Sequence, residues 1–358
     1  MNTKKILHVI ALAVMCGLAA TLKAQNLYVA NSESNAIAEY RQDGSTVNAS
    51  LITSGLDYPT SIAISGTNLF VGNVHSGTIG EYTTSGATVN ASLISGLGSP
   101  EGIAISGTNL FVTSYGTAYF TGTVGEYTTS GTTVNVSLIS GLSSAEGIAI
   151  SGTNLFVVNN LGPGGYGYVG EYTTSGATLN ASLISGLTSP VGIAISGTNL
   201  FVDVAGDGGI GSGTIGEYTM SGTTINASLI SGLDLCEGVA ILGTNLFVTS
   251  LSGGTIGEYT TSGAIVNASL ISGLGHPIGI AISPVPAPVL SSPGFFNGQF
   301  QMAVTGSSNQ TYTVQMATNL LSVNWASLLV TNPPSGSFSF TDPKATNQQR
   351  FYRVEIAQ

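Results

Sequence analysis

The chain has 358 residues, and only 7% of them are charged, against about 25% in ordinary domains. Seventeen acids face seven Lys and Arg, a formal charge of −10. This surface is a poor partner for nucleic acid or an anionic membrane, because almost nothing on it neutralises phosphates. Cations, neutral polymers such as glycans, and other proteins remain as partners.

Residues 1–25 read as an export signal. Lys4 and Lys5 form a basic start, residues 6–21 an apolar stretch, and Leu22-Lys23-Ala24 a peptidase site before Gln25. No second apolar span follows, so the expectation is a protein outside the cytoplasm, secreted, periplasmic or at the cell surface, with no transmembrane segment. Cys16 leaves with the signal and Cys236 is then alone, so no intramolecular disulfide forms and the fold rests on burial. Without Lys4, Lys5 and Lys23 the balance against all seventeen acids is −13.

From Asn26 a segment of about 41 to 46 residues recurs six times, opening at Asn26, Asn68, Asn109, Asn154, Asn199 and Asn245. Each copy divides into four short strands. In one, Gly102-Ile103-Ala104-Ile105-Ser106 has little polar alternation, as a strand buried on both sides requires. Leu110-Phe111-Val112 follows a Gly turn, then Thr123-Val124-Gly125-Glu126-Tyr127. In the last strand Val134, Val136 and Leu138 alternate with Asn135 and Ser137, which predicts a half-exposed outer edge. Four-stranded units of this length are the blades of a β-propeller.

The inner type occurs near Ile62, Ile103, Ile148, Ile193, Val239 and Ile280. The chain starts on a second strand and ends its repeats on an inner one, so residues 279–283 are expected to complete the blade begun by 26–52. The predicted architecture is all-β: a six-bladed propeller over 26–283 with three-plus-one closure. A Pro-rich linker over 284–288 follows, and then a small β-sandwich over 289–358 with strands near Phe300, Tyr312, Leu328, Phe338 and Tyr352.

The run P-x-G-I-A-I, N-L-F-V and x-I-G-E-Y resembles the NHL and YVTN-type propeller repeats of secreted bacterial proteins, over residues 26–283. That resemblance implies a binding or scaffolding module. Streptogramin lyases share the run seen at Ile79-Gly80 through Gly86, but they carry a W-F-T-E-like second strand where this chain has L-F-V. The T-Y-T-V-Q-M-A-T-N-L and R-F-Y-R-V runs resemble fibronectin III-like modules at the C-termini of secreted repeat proteins.

Turns between the first two and the last two strands of a repeat are nearly invariant; connections from second to third strand vary. Loops on a rigid scaffold carry binding residues, so the site is expected on the variable face. Three carboxylates, Glu101, Glu146 and Glu237, precede inner strands and surround the predicted channel mouth, where Thr60, Val191 and Ile278 stand in the other copies. They are candidate Ca²⁺ ligands, against the plainer reading of a solvated acidic rim. Resemblance to sugar-lactonase propellers, which hold a central divalent ion, supports the same candidates. No cofactor is required by the sequence. His75 and His276 fall in neighbouring repeats on this face, as a base or metal pair or as two unrelated loop residues. Asp203 and Asp207 lie in a Gly-rich segment like a calcium turn, here in one copy. Asn159 and Asn160 open another variable loop, while Tyr115, Tyr119, Phe120, Tyr166 and Tyr168 offer an aromatic platform for a glycan or peptide.

The Glu of each G-E-Y (Glu39, Glu81, Glu126, Glu171, Glu217, Glu258) reads as structural because it recurs identically far from any common centre. The Asn-x-Ser triplets at Asn48, Asn90, Asn135, Asn180, Asn226 and Asn267 match the glycosylation pattern but read first as the polar side of an outer strand. Nucleophile elbow, H-E-x-x-H and phosphate-loop motifs are absent. The expected protein is a monomeric, non-catalytic binding scaffold for a glycan, peptide or protein. A divalent-metal propeller hydrolase or lyase is the first rival, and a structural surface or matrix component the second.

Overall fold

The computed structural model describes residues 25–116, 121–161, 165–283, 288–297, 299–306, 311–318, 325–344 and 350–356. The expected export signal up to Ala24 and most of the Pro-rich linker lie outside them. Two compact units result, Asn26–Pro284 and one beginning at Val285. Among the described residues no helix is long and apolar enough to cross a membrane.

The first unit is six four-stranded antiparallel sheets. Pro277–Ile282, Asn26–Asn31, Ala36–Arg41 and Thr46–Ile52 form the first blade, from the inside outward. The next five begin with the inner strands Pro59–Ser65, Pro100–Ser106, Ala145–Ser151, Pro190–Ser196 and Cys236–Leu242. Closure occurs as the repeat count requires: Leu27 pairs with Ile282, Tyr28 with Ala281 and Val29 with Ile280. Each inner strand lies beside the inner strand of the next blade, and the last beside the first, which makes a closed ring.

The apolar pattern explains why blades stack rather than stand alone. In every N-L-F-V strand, Leu and Val face one neighbouring blade and Phe the other. Leu110 and Val112 pack with Phe70 and Ile79 of the preceding blade, while Phe111 packs with Leu155 and Val157 of the following one. All six cores lie between blades, and the one formed by Leu27 and Val29 with Phe247 and Ile256 closes the circle. A sheet whose two faces are both apolar cannot be buried except between two others.

Two side-chain devices recur in each blade. The Asn that opens the second strand donates to the Glu of G-E-Y across the sheet, as Asn68 to Glu81 at 2.6 Å, Asn109 to Glu126 at 2.7 Å and Asn154 to Glu171 at 2.8 Å. The recurring Glu is therefore a strand-to-strand tie. Opposite it the outer strand bulges, and the Asn-x-Ser asparagine accepts its own chain's N–H two residues on, Ser92 to Asn90 at 3.1 Å. This bulge corrects the expected alternation. Val134 and Val136 are 54% and 65% exposed, and the outer strand buries only its far end, at Ile139 and Leu142.

At the centre the strands approach backbone to backbone. A Cβ on Gly102 would stand 2.6 Å from the Glu146 carbonyl oxygen of the next blade, and one on Gly147 2.6 Å from that of Val191. Gly279 meets the Thr60 carbonyl in the same way where the ring closes. Only glycine allows this approach.

The second unit has one strand more than the five expected. Val289–Phe296, Gln299–Thr305 and Ser337–Asp342 form one three-stranded sheet; Ala326–Thr331, Tyr312–Ala317 and Phe351–Ile356 form another. They share a core of Phe300, Met302, Val304, Val314, Phe340 and Tyr352. Asp342 is buried there and satisfied by three donors: Arg350 at 2.6 Å, the Tyr352 hydroxyl at 2.8 Å and the Lys344 N–H at 2.9 Å.

Replacing Gly102 by Ala is expected to lower unfolding stability by about 1–3 kcal/mol, the cost of overpacking against an immovable backbone. Gly98→Ala, at a glycine with nothing within 4 Å of the added carbon, is expected to stay within about 0.5 kcal/mol of the parent. Urea midpoints of the two variants check both.

Candidate functional site

The ring of inner strands encloses a channel. Its wall at one level carries one residue from each blade in order: Ile278, Thr60, Glu101, Glu146, Val191 and Glu237. The cavity is about 310 Å³, with Tyr58 and Leu251 also lining it. The three carboxylates predicted at the channel mouth thus share one space. Glu101 and Glu237 come from opposite blades, and Glu146 adjoins Glu101.

No Lys or Arg accompanies them, since Arg41 is the only one in residues 26–283. Burial pushes the Glu101 carboxyl up to about 7, partly offset by the Thr60 hydroxyl. Burial, then the charge of Glu101, lifts Glu237 to about 7. Glu146 is raised furthest, by burial and then by Glu101 and Glu237. Desolvation is the largest influence at all three, and mutual repulsion adds to it at Glu146 and Glu237. Among the described residues no three His, Cys, Asp or Glu side chains gather closely enough to hold a metal ion. The carboxylates ring the space instead of converging on a point in it.

Above the ring, the residue before each inner strand adopts left-handed backbone: Tyr58, Ser99, Ser144, Ser189, Leu235 and His276, with φ from 47° to 55°. Tyr58 stacks on His75 with ring centroids 4.5 Å apart, and His75 Nδ1 lies 3.6 Å from Asp57. His276 faces Glu33 instead, at 3.8 Å. The two histidines therefore have separate partners and form no pair. Tyr58 and Asp57 were missed in the sequence; the signal for Tyr58 was the Tyr-Pro step ahead of an inner strand.

The other loop candidates divide. Asp207 is exposed and accepts the Gly209 N–H at 3.1 Å, which with Ser212 draws its carboxyl below the usual range. Tyr166 is 56% exposed, and Tyr115 and Tyr168 are half-buried. No ring of the three stacks on another among the described residues, and Tyr119 and Phe120 lie outside those residues. Asn159 and Asp203 are corrections. Both are wholly buried at the ends of second strands, not displayed on loops, because the strands run further than the Gly-rich composition suggests. Asn160, half-buried, donates its backbone N–H to the Ser144 carbonyl at 3.0 Å.

The acids sort by position. Of the fifteen in residues 26–283, six are the tied Glu of G-E-Y, Asp203 is buried, and Asp43 sits beside Arg41 on the opposite face. The remaining seven all belong to the variable face: Glu101, Glu146 and Glu237 in the channel, and Glu33, Asp57, Asp207 and Asp234 in its loops. The rim between the faces has no charge at all.

No protein-family model matches the chain, and no curated protein does. Solved structures do. A chain of the nidogen/laminin complex superposes with a TM-score of 0.62 at 17% identity, covering 73% of this chain and 99% of that one. Streptogramin B lyase superposes with a TM-score of 0.53 at 17% identity, covering 71% and 82%. With the six closed sheets, these likenesses define the first unit as a six-bladed β-propeller. Propellers of this kind include both a protein-complex component and an enzyme, so the fold alone does not choose a function.

Folded-state values near 7, against an ordinary 4.5, mean that the folded protein holds protons that the unfolded chain releases. Stability is therefore highest below about pH 4.5 from these groups and is lost as pH rises to about 7. The melting temperature is expected to rise between pH 8 and pH 5. Glu101→Gln, Glu146→Gln and Glu237→Gln together should flatten that slope, which differential scanning calorimetry across the range reads directly.

Proposed function

We propose that the propeller is a non-catalytic binding scaffold whose variable face takes a protein or peptide ligand bearing Lys, Arg or a terminal amine. The observation that carries this reading is the segregation of charge: seven carboxylates and no Lys or Arg on the variable face, and nearly no free charge elsewhere on the unit. A face of one sign steers and orients a partner of the other. An ammonium or guanidinium group entering the channel would meet carboxylates arranged around it, which suits one elongated cation. The Tyr58–His75 stack offers an aromatic surface at the mouth for the rest of the ligand.

The similar propeller in the nidogen/laminin complex belongs to a protein assembly, in keeping with a protein ligand here. We read residues 1–25 as an export leader and the two C-terminal sheets as a small β-sandwich that serves as an attachment module. A cation is the ligand's charge in this reading, not a resident Ca²⁺.

Surface plasmon resonance with the full chain immobilised tests it, using a Lys-rich, a Glu-rich and an uncharged Ser/Gly peptide of equal length. The Lys-rich peptide is expected to bind alone and to weaken as salt rises. Its affinity should grow from pH 6 to pH 8 as Glu101 and Glu237 ionise, and should fall about tenfold in the triple Gln variant. Equal binding of all three peptides, or binding that strengthens as the channel is protonated, would refute the proposal.

A further inference from the structure

Asp203 is the one buried carboxylate of the propeller that neither the ties nor the acidic face explains. It is wholly buried, and neither carboxyl oxygen has a hydrogen-bond partner. Its surroundings are a variation on a device used at other seams between blades. In the third blade, Thr113 occupies the corresponding place in the second strand, and its hydroxyl donates to the Gly102 carbonyl and to the Glu146 carbonyl of the next blade. In the sixth blade Thr249 does the same, donating to Gly238 at 3.3 Å and to Ile278 of the first blade at 2.9 Å. Both hydroxyls lie over a ring glycine, beside the next blade's carbonyl.

Asp203 stands over Gly192 in the same way. The point where a Gly192 Cβ would sit is 3.3 Å from Asp203 Oδ2 and 3.4 Å from the Glu237 carbonyl oxygen. A polar group at this position faces carbonyl oxygens and can be satisfied only as a donor, and a carboxylate has no hydrogen to donate. Only the protonated acid has an O–H to offer the facing carbonyl. The titratable groups that face Asp203 are the Cys236 thiol, which favours the charged form and only partly offsets burial, and Glu237, which opposes it. The thiol's closest acceptor is the Val204 carbonyl at 3.3 Å, so its S–H is shared and leaves the charge poorly compensated. Burial is the main influence and raises Asp203 well above the usual carboxyl range, in the same direction as the geometry. The seam does not need a polar group, since Val158 and Ala30 fill the equivalent place in two other blades.

We propose that Asp203 is a proton-dependent latch: as the neutral acid it closes the seam between the fifth and sixth blades, and its ionisation opens that seam. The penalty for charging a group with no partner is borne where Cys236, itself wholly buried, begins the sixth blade's inner strand. Opening of this seam therefore exposes a thiol that the closed ring hides.

That thiol supplies the test. In the full chain carrying Cys16→Ser, the rate of reaction of Cys236 with 4,4′-dithiodipyridine is followed from pH 5.5 to pH 9. The parent is compared with Asp203→Thr, the residue used at the same place in two sister blades. Asp203→Asn, which is isosteric and cannot ionise, is run beside it, so that a folding defect in one variant leaves the comparison standing. Parent and variants are expected to react at similar rates at pH 5.5, and the parent at least tenfold faster at pH 9. Burial, and after it the Asp203 charge, hold the thiol protonated and unreactive in the closed ring, so faster reaction in the parent reports opening and not thiol chemistry. A parent-to-variant ratio that stays at or below one over the whole range overturns the proposal. This outcome is independent of peptide binding at the acidic face.

Discussion

Every other feature of the propeller depends on how closely six inner strands can approach around one axis. The limiting contact is a ring glycine against the carbonyl oxygen of the next blade, repeated from Gly102 on Glu146 to Gly279 on Thr60. A methyl group at that point would push neighbouring blades apart, and the packing of Phe, Leu and Val between them would open with it. Interiors tolerate little of this because they are packed at crystal-like density. The second blade shows how strict the limit is. Ser61 stands where its sisters have glycine, and the facing second-strand residue is Gly72, which yields the space. The hydroxyl and the glycine have changed strands, and the volume between the blades is kept.

The same geometry makes charge expensive everywhere but on one face. Between blades the side chains are buried, so the acids there are tied to Asn amides or, in Asp203, held over a ring glycine. Along the rim the outer strands show hydroxyls, amides and a few valines. The variable face alone presents carboxylates freely, and the channel beneath it concentrates three of them without a counter-charge. Burial and like charge act together there, which is the usual route to carboxyls that titrate near neutrality.

The blade plan was legible in the sequence because it is written six times. Gly-Ile-Ala-Ile and Asn-Leu-Phe-Val mark strands by burial, and the leftover strand types at the two ends identify the closure. The place of Glu101, Glu146 and Glu237 followed from that plan, since a residue just before an inner strand must border the axis. What could not be read were side-chain partners and strand ends. Asp203 and Asn159 lie one or two residues inside a strand whose continuation looks like loop, and a single step in register separates display from burial. The Asn–Glu ties escaped notice because their members are 13 to 18 residues apart, a separation that only the hairpin brings together. The Tyr-Pro signal of Tyr58 was weak for another reason: one aromatic beside a proline is common, and its stack with His75 depends on two loops from different connections.

The strand that seals the ring lies some 250 residues from its partners, Ile282 against Leu27. As the chain emerges, the head of the propeller must wait, with one flank of its first sheet unpaired, until nearly the whole domain has followed. Five complete blades can assemble meanwhile, yet none of them protects that flank. The open flank is an uncharged, apolar ribbon, Asn-Leu-Tyr-Val-Ala-Asn, the kind of edge that recruits stray strands. Whatever shields this ribbon until residues 277–282 arrive therefore bears on how much of the new chain reaches its closed form.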